Sequence, residues 1–152
     1  MPNPQKKIEK LYVLERIADE SLNKAILNLA QIKSELTNAR ERLGLLEKYL
    51  EDYKQKILLE TKQGLLAQKV KQHQTFLQNL TLSVGRQNEH IYKLKQAVEA
   101  ATHVYSEAYS KKELLVKIID KRKTDLDLFN EKKIVKEQEA QLMVQAIKHN
   151  RK

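Results

Sequence analysis

Apolar residues recur in alternating steps of three and four along the first third of this chain. The repeat begins at Ile8 and holds for about seven heptads, and only Glu15 interrupts it. An average spacing of 3.5 residues keeps one stripe of a helix against a partner helix, so the pattern predicts a coiled-coil seam. The seam positions are Ile8, Leu11, Glu15, Ala18, Leu22, Ala25, Leu29, Ile32, Leu36, Ala39, Leu43, Leu46, Leu50, Tyr53 and Ile57.

The composition excludes most other folds. The 152 residues include three glycines and two prolines, and both prolines lie within the first four positions. A domain with many turns needs more of both residue types. Aromatic residues make up 5% of the chain and charged residues 32%. These values exclude a β-sandwich, an α/β enzyme and a disulfide scaffold, and they indicate long helices that bury a narrow stripe.

The alternating steps of three and four are interrupted near Gly64, and a second series of apolar residues follows. Glycine adopts a left-handed conformation without steric cost, so Gly64 is predicted to end the first helix. Four positions of the second series are strongly polar, namely His73, Gln87, Lys112 and Arg122. The full series is Leu66, Val70, His73, Leu77, Leu80, Val84, Gln87, Ile91, Leu94, Val98, Ala101, Tyr105, Ala108, Lys112, Leu115, Ile119, Arg122, Leu126 and Phe129.

The two series predict an all-α fold, a long antiparallel two-helix coiled-coil hairpin with a C-terminal helical overhang. A single coiled-coil domain is expected over residues 1–152. Helix 1 is placed at about 5–60, the turn at about 61–65 and helix 2 at about 66–148. A fold centred near Gly64 pairs positions whose numbers sum to about 130.

This register brings each small seam residue to a larger one, as an evenly filled seam requires. A register shifted by one heptad also pairs apolar residues and stays an alternative. The predicted pairs are Ala25 with Tyr105, Ala39 with Ile91, Ala101 with Leu29, and Ala108 with Leu22.

In this register, helix 2 extends beyond the start of helix 1. It passes the start of helix 1 near Asp125, so residues 126–152 have no partner within the chain. An apolar stripe without a partner indicates a binding partner elsewhere, and a frayed tail is the alternative. The apolar residues of this overhang are Leu128, Phe129, Ile134, Val135, Leu142, Met143, Val144 and Ile147.

The net charge of +9 is concentrated in the terminal segments. Residues 1–10 have a net charge of +2 and residues 121–152 a net charge of +4. A basic end suits an acidic protein socket or a phosphate surface, such as nucleic acid or anionic lipid. Lysine-rich termini that only keep the chain soluble are the alternative.

No constellation of catalytic or metal-binding residues is present. The four histidines, His73, His90, His103 and His149, share no metal-ligand spacing. There is no glycine-rich phosphate loop, HExxH motif or calcium loop. We therefore expect no enzyme activity, no cofactor and no small-molecule substrate, and we expect His73 to be a solvated residue beside the seam.

Two further absences bear on partners and location. Tyr49, Tyr53 and Tyr105 lie on or beside the seam, which explains them as packing residues, so no nucleic-acid binding is expected. The chain has no cysteine, no long apolar stretch and no apolar segment behind its first residues. It is therefore expected to be cytoplasmic, without disulfides, a membrane span or a signal peptide.

The segment from Leu46 to Tyr53 resembles a family signature. It reads Leu-Glu-Lys-Tyr-Leu-Glu-Asp-Tyr and looks like the Leu-x-x-Tyr-x-x-(acid)-Tyr motif that closes helix 1 in the FliJ family. Members of that family are cytoplasmic stalk proteins of bacterial flagellar type III export. The resemblance continues through the Phe76-Leu77 segment and Arg86-Gln87, and covers about residues 43–140. The residues that carry the signature are Leu46, Tyr49 and Tyr53, with Gly64 at the turn.

The resemblance implies a set of partners. FliJ-like proteins resemble the central stalk of rotary ATPases and insert into the ring of the export ATPase (FliI-like). They also contact the cytoplasmic domain of the export gate (FlhA-like) and bind export chaperones. This chain is accordingly expected to be a monomer when free, associated peripherally with the inner membrane through the export apparatus. A generic coiled-coil adaptor or scaffold, including an injectisome stalk protein, is the alternative.

Two sets of partner-binding residues are predicted. A docking face for the export gate is expected on one side of helix 2, because its members recur at steps of four, three and four: Phe76, Leu80, Ser83 and Gln87. The alternative is that Phe76 only covers the flank of the seam. The surface that enters the ATPase ring is expected at the terminal end: Lys6, Lys7, Phe129, Lys132, Lys133, Lys136 and Leu142.

Overall fold

Two long helices account for the structure, a computed structural model that describes residues 3–64 and 66–151. Helix α1 spans Pro4–Lys62 and helix α2 spans Ala67–Asn150. The described residues contain no strand, and the two helices pack against each other. The predicted all-α helical hairpin is therefore confirmed. Leu65, inside the predicted turn, lies outside the described residues, as do Met1, Pro2 and Lys152.

Local interactions set the ends of the helices. The Asn3 side-chain oxygen accepts a hydrogen bond from the Gln5 amide at 3.1 Å, and Pro4 occupies the first helical position, where no amide donor is needed. At the other end of α1, the Gly64 amide donates to the Thr61 carbonyl at 3.3 Å. Gly64 has a φ of 86°, the left-handed conformation that glycine adopts without strain. The chain then begins α2 within three residues.

The contacts divide the chain into two compact units. The terminal unit consists of Met1–Asn23 and Ser106–Lys152, and the turn unit consists of Lys24–Tyr105. Each unit combines a segment of α1 with a segment of α2. That the whole chain forms one domain stays a prediction.

The turn unit has its best-packed region midway along the paired helices. Leu36, Ala39, Ile91 and Leu94 form a buried cluster, and Ile32, Leu43 and Val98 pack against it. Ala39 and Ile91, one of the predicted pairs, both belong to this cluster. Ala25, Leu80 and Ala101 are also buried in this unit.

The terminal unit buries Ile8, Ala18, Leu22 and Ile119. Lys112 of α2 donates a hydrogen bond to the Asp19 carboxylate of α1. The Lys123 ammonium lies over the Tyr12 ring, 5.4 Å from its centroid. Contacts between the two helices in this unit thus combine buried apolar residues with one charged hydrogen bond and one cation–π contact.

Every buried residue that the structure describes belongs to one of the two predicted series. The second series was nevertheless too long in both directions, because Leu66 and Phe129 are exposed. Leu66 lies between the end of α1 at Lys62 and the start of α2 at Ala67. Val70 and Arg122 are also exposed, although they lie within the paired range. An apolar period alone does not show where the partner helix ends.

We expect Ile91→Ala to lower the free energy of unfolding by about 2–4 kcal/mol, because it removes buried atoms from the turn-unit cluster and leaves a cavity. Lys93→Ala, at an exposed position two residues on, is the control and should change it by less than about 0.5 kcal/mol. Urea denaturation followed by circular dichroism measures both. Equal effects of the two substitutions would contradict the assigned seam.

Candidate functional site

A cluster of polar and aromatic side chains joins the two helices near the turn. A ring nitrogen of His73, Nδ1, is hydrogen-bonded to the Tyr53 hydroxyl, and Nε2 lies 2.9 Å from the Glu60 carboxylate. With the ring proton on Nε2, His73 donates to Glu60 and accepts from Tyr53, so both ring nitrogens are satisfied. The prediction that His73 is a solvated residue beside the seam was wrong. Its side chain is only 16% exposed because it packs against α1. There Tyr53 supplies a donor and Glu60 an acceptor.

Phe76 extends this cluster towards the surface. Its ring centroid lies 4.5 Å from that of Tyr53 and 6.3 Å from that of Tyr49. These separations are typical of packed aromatic pairs. Phe76 is 39% exposed, so the ring rests on Tyr53 with one edge in water. Phe76 directly precedes the seam residue Leu77, so it lies one position off the seam, and its partial exposure agrees with that position.

The environment of Tyr53 favours its neutral form. Burial raises the pKa of the Tyr53 phenol above its usual value, and the nearby Glu60 and Tyr49 raise the pKa further. Removing water and adding negative charge both penalise the phenolate. The hydroxyl therefore keeps the proton that it donates to His73.

The other predicted docking residues occupy different environments. Leu80 is buried in the seam. Gln87 crosses to α1, where its side-chain amide donates to the Ala39 carbonyl at 2.9 Å. The Ser83 hydroxyl donates to the Asn79 carbonyl of its own helix at 3.1 Å. Docking of a partner on this face stays a prediction, and Phe76 is the one member of the set that presents a large exposed apolar side chain.

Gln87 and Lys112 gain roles that the sequence alone did not assign. Both were polar interruptions of the second apolar series, and both bond to α1 in the structure. The hydrogen bond to Asp19 raises the pKa of Lys112, so the ammonium stays charged. The pKa of Lys123, whose ammonium lies over the Tyr12 ring, is likewise raised, mainly by Tyr12.

The predicted ring-binding residues are all exposed. Helix α2 continues to Asn150, and every described residue after Leu126 is exposed. The frayed tail considered above is therefore a helix in this structure. The exposed set comprises Lys6, Lys7, Phe129, Lys132, Lys133, Lys136 and Leu142.

Apolar side chains project from more than one side of the part of α2 that follows Leu126, which we call the terminal helix. Leu128, Val135 and Leu142 recur every seven residues and form one stripe. Val144 lies nine residues beyond Val135, which is two and a half helical turns, so these two side chains point in opposite directions. Phe129 and Ile147 are five full turns apart and share a third direction. A single flanking helix would leave part of this surface in water.

No group of residues in the described part of the chain has the composition and spacing to hold a metal ion. Within the same residues, no helix is long and apolar enough to cross a membrane.

The paired helices and their exposed apolar faces define an all-α helical-hairpin protein. The sequence model of one family, described as flagellar FliJ protein, matches residues 6–143, which is nearly the whole chain. The chain belongs to the FliJ family, as its Tyr49, Tyr53 and Phe76 segments predicted. Searches of curated proteins and of solved structures found no significant match. Family membership supports a role related to flagellar export, and the family is non-catalytic.

We expect Tyr53→Phe to destabilise the protein by about 1 kcal/mol, because it leaves the half-buried His73 nitrogen without its donor. Tyr92→Phe is the matched control, because the Tyr92 hydroxyl is hydrogen-bonded to Gln96 at an exposed position. It should change the free energy of unfolding by less than about 0.5 kcal/mol.

Tyr53 should also contribute a pH dependence. Its folded pKa is raised above the unfolded value near 10, so the stability that it supplies is complete below that pH. It is lost as the pH rises through the folded pKa, where the phenol must ionise. Urea denaturation across the alkaline range should show this loss in the wild type and a smaller loss in Tyr53→Phe. Identical pH profiles would contradict the assigned environment.

Proposed function

We propose that this chain is the stalk and coupling protein of a flagellar type III export apparatus. Its terminal helix enters the ring of the export ATPase and promotes the assembly and activity of that ring. The chain also links the ATPase to the cytoplasmic domain of the export gate and to export chaperones. In this proposal it has no catalytic activity of its own and is a monomer when free.

The observation that carries the proposal is the terminal part of α2. This segment is helical and wholly exposed, and its apolar side chains point in opposite directions. A ring encloses a helix from all sides, whereas one partner helix covers a single stripe. The geometry therefore favours a surrounding partner over an ordinary coiled-coil partner.

Charge supports the same surface. Lys132, Lys133 and Lys136 lie among the apolar residues of the terminal helix, and Lys6 and Lys7 lie at the start of α1 in the same unit. Exposed lysines beside an apolar surface favour an acidic inner wall, and their contribution weakens as salt is added. A generic coiled-coil adaptor would use one stripe and explains the opposite faces less well.

The export gate is the second partner in the proposal. Phe76 is its contact residue, because the ring is held by Tyr49 and Tyr53 and keeps an edge in water. An aromatic side chain that is rigid before binding loses little conformational entropy when a partner covers it. Leu80 supports this contact from the seam and does not itself reach the partner.

Ending the chain after Asp125 should abolish stimulation of the export ATPase while shifting the melting temperature by less than about 4 °C. The removed residues from 127 onward are exposed, so the paired helices keep their buried contacts. ATPase turnover and thermal unfolding by circular dichroism measure the two effects. Full stimulation by the shortened chain would mean that the insertion end is wrongly assigned.

Paired substitutions on two sides of the terminal helix separate a ring from a single partner helix. Val135→Gln with Leu142→Gln changes one side, and Phe129→Gln with Ile147→Gln changes another. Enclosure predicts that each pair weakens ATPase binding by roughly tenfold or more, since each removes apolar burial on a covered side. Leu45→Gln, at an exposed position of the turn unit, is the control and should bind normally. Loss with only one of the two pairs would contradict enclosure.

Phe76→Ala should weaken binding to the cytoplasmic domain of the export gate by about 2 kcal/mol, the effect of removing an aromatic anchor. Leu82→Ala, an exposed apolar residue on another side of α2, should leave binding unchanged. Leu80→Ala is unsuitable as a test because the residue is buried in the seam. Calorimetric titration measures the affinities, and circular dichroism verifies helicity. If Phe76→Ala binds as the wild type does, Phe76 only covers the flank of the seam.

A further inference from the structure

The turn of the hairpin exposes a group of aliphatic side chains. Leu59 is 63% exposed and Leu66 is 74% exposed, and Leu58 and Val70 are exposed beside them. Helix α1 ends at Lys62 and α2 begins at Ala67. At 1.5 Å per residue, these four side chains therefore lie within about 6 Å of the helix ends, measured along the helix axes. We call this group the turn leucines, with Val70 included.

Lysines flank the turn leucines in the sequence. Residues 53–75 contain five lysines, and their single acid is Glu60, so the net charge of this stretch is +4. The Glu60 carboxylate is directed to His73 at 2.9 Å. With the basic terminal segments, this stretch accounts for more than the whole net charge of +9, and the remaining residues have a net charge of −1. The lysines are Lys54, Lys56, Lys62, Lys69 and Lys71, all of them exposed.

This combination has the chemistry of a membrane-surface contact. Aliphatic side chains at an interface enter the bilayer to a depth of about 5–10 Å, which matches the distribution of the turn leucines along the helices. Lysine side chains are long enough to stay at the phosphate level while their methylene groups follow the apolar residues inward. A stretch with five cations and one paired carboxylate is attracted to anionic lipid. Nucleic acid is disfavoured, because Tyr49, Tyr53 and Phe76 contact one another and do not form a stacking platform.

We propose that the turn of the hairpin docks directly on a membrane surface that contains anionic phospholipid, with the turn leucines inserted and the flanking lysines on the headgroup phosphates. The contact needs neither the ATPase ring nor the export gate, so it is independent of the function proposed above. It differs from membrane association through the export apparatus because lipid alone is sufficient.

Flotation of the full chain with vesicles tests the proposal. Vesicles of equal parts phosphatidylcholine and phosphatidylglycerol should bind the protein, and vesicles of phosphatidylcholine alone should not. Binding should fall as salt is raised, since a Debye length of about 8 Å at physiological ionic strength screens surface charges. Neutral vesicles that bind equally well, or anionic vesicles that bind no protein, would overturn the proposal.

Two variants and their controls locate the contact. Lys56→Gln with Lys69→Gln should lower the vesicle partition coefficient by roughly twenty-five-fold, at about fivefold per lysine. The control for charge, Lys93→Gln with Lys95→Gln, makes the same change at exposed positions away from the turn and should have little effect.

The apolar part of the contact has its own pair of variants. Leu59→Ala with Leu66→Ala should lower the vesicle partition coefficient by about tenfold or more without loss of helicity, since both side chains are exposed in the folded protein. Leu45→Ala, also exposed, is its control. Turn variants that bind as the wild type does would overturn the proposal. Protein that does not bind vesicles but binds polyglutamate through the same lysines would also overturn the proposal, because the partner would then be an acidic protein.

Discussion

In each of the two units, α1 packs against α2 through a narrow stripe of buried apolar residues, and this packing decides which other side chains are covered and which are exposed. The seam is apolar, yet three of its polar positions bond across the two helices. His73 and Gln87 do so in the turn unit and Lys112 does so in the terminal unit. A slip of one heptad would keep apolar side chains together but would leave these groups without their partners. Each unpaired, partly buried polar group costs about 1–3 kcal/mol, so we infer that the polar positions set the register.

The periodicity of the sequence predicted the fold class and every buried residue that the structure describes. It did not predict where the seam ends, because Leu66 and Phe129 keep the period beyond the ends of the partner helix. The environment of His73 was also beyond prediction from the pattern. Whether a polar seam residue meets water or a partner depends on the register, and Tyr53 and Glu60 come opposite it only once the register is set.

Whether a predicted site residue is accessible to a partner depends on its surroundings in the fold, which spacing along the sequence does not give. Equal spacing placed Phe76 and Leu80 on one side of α2, but the structure exposes Phe76 and buries Leu80. The lysines near the turn are a feature of the sequence, but their number alone does not distinguish a binding surface from a solvated one. Their meaning depends on the exposed turn leucines, and exposure near a helix end is a property of the fold. The family could be assigned without knowledge of the fold, because the order and spacing of several weak motifs indicate it.

Each chain closes its own seam by packing its α1 against its α2. The alternative is that the seams pair between two chains, so that α1 of one copy packs against α2 of the other. Sedimentation equilibrium of the full chain at micromolar concentration distinguishes the two arrangements directly. Closure of the seam within one chain predicts a single species at the monomer mass of 17.8 kDa, and a species of twice that mass would show that the seams pair between chains.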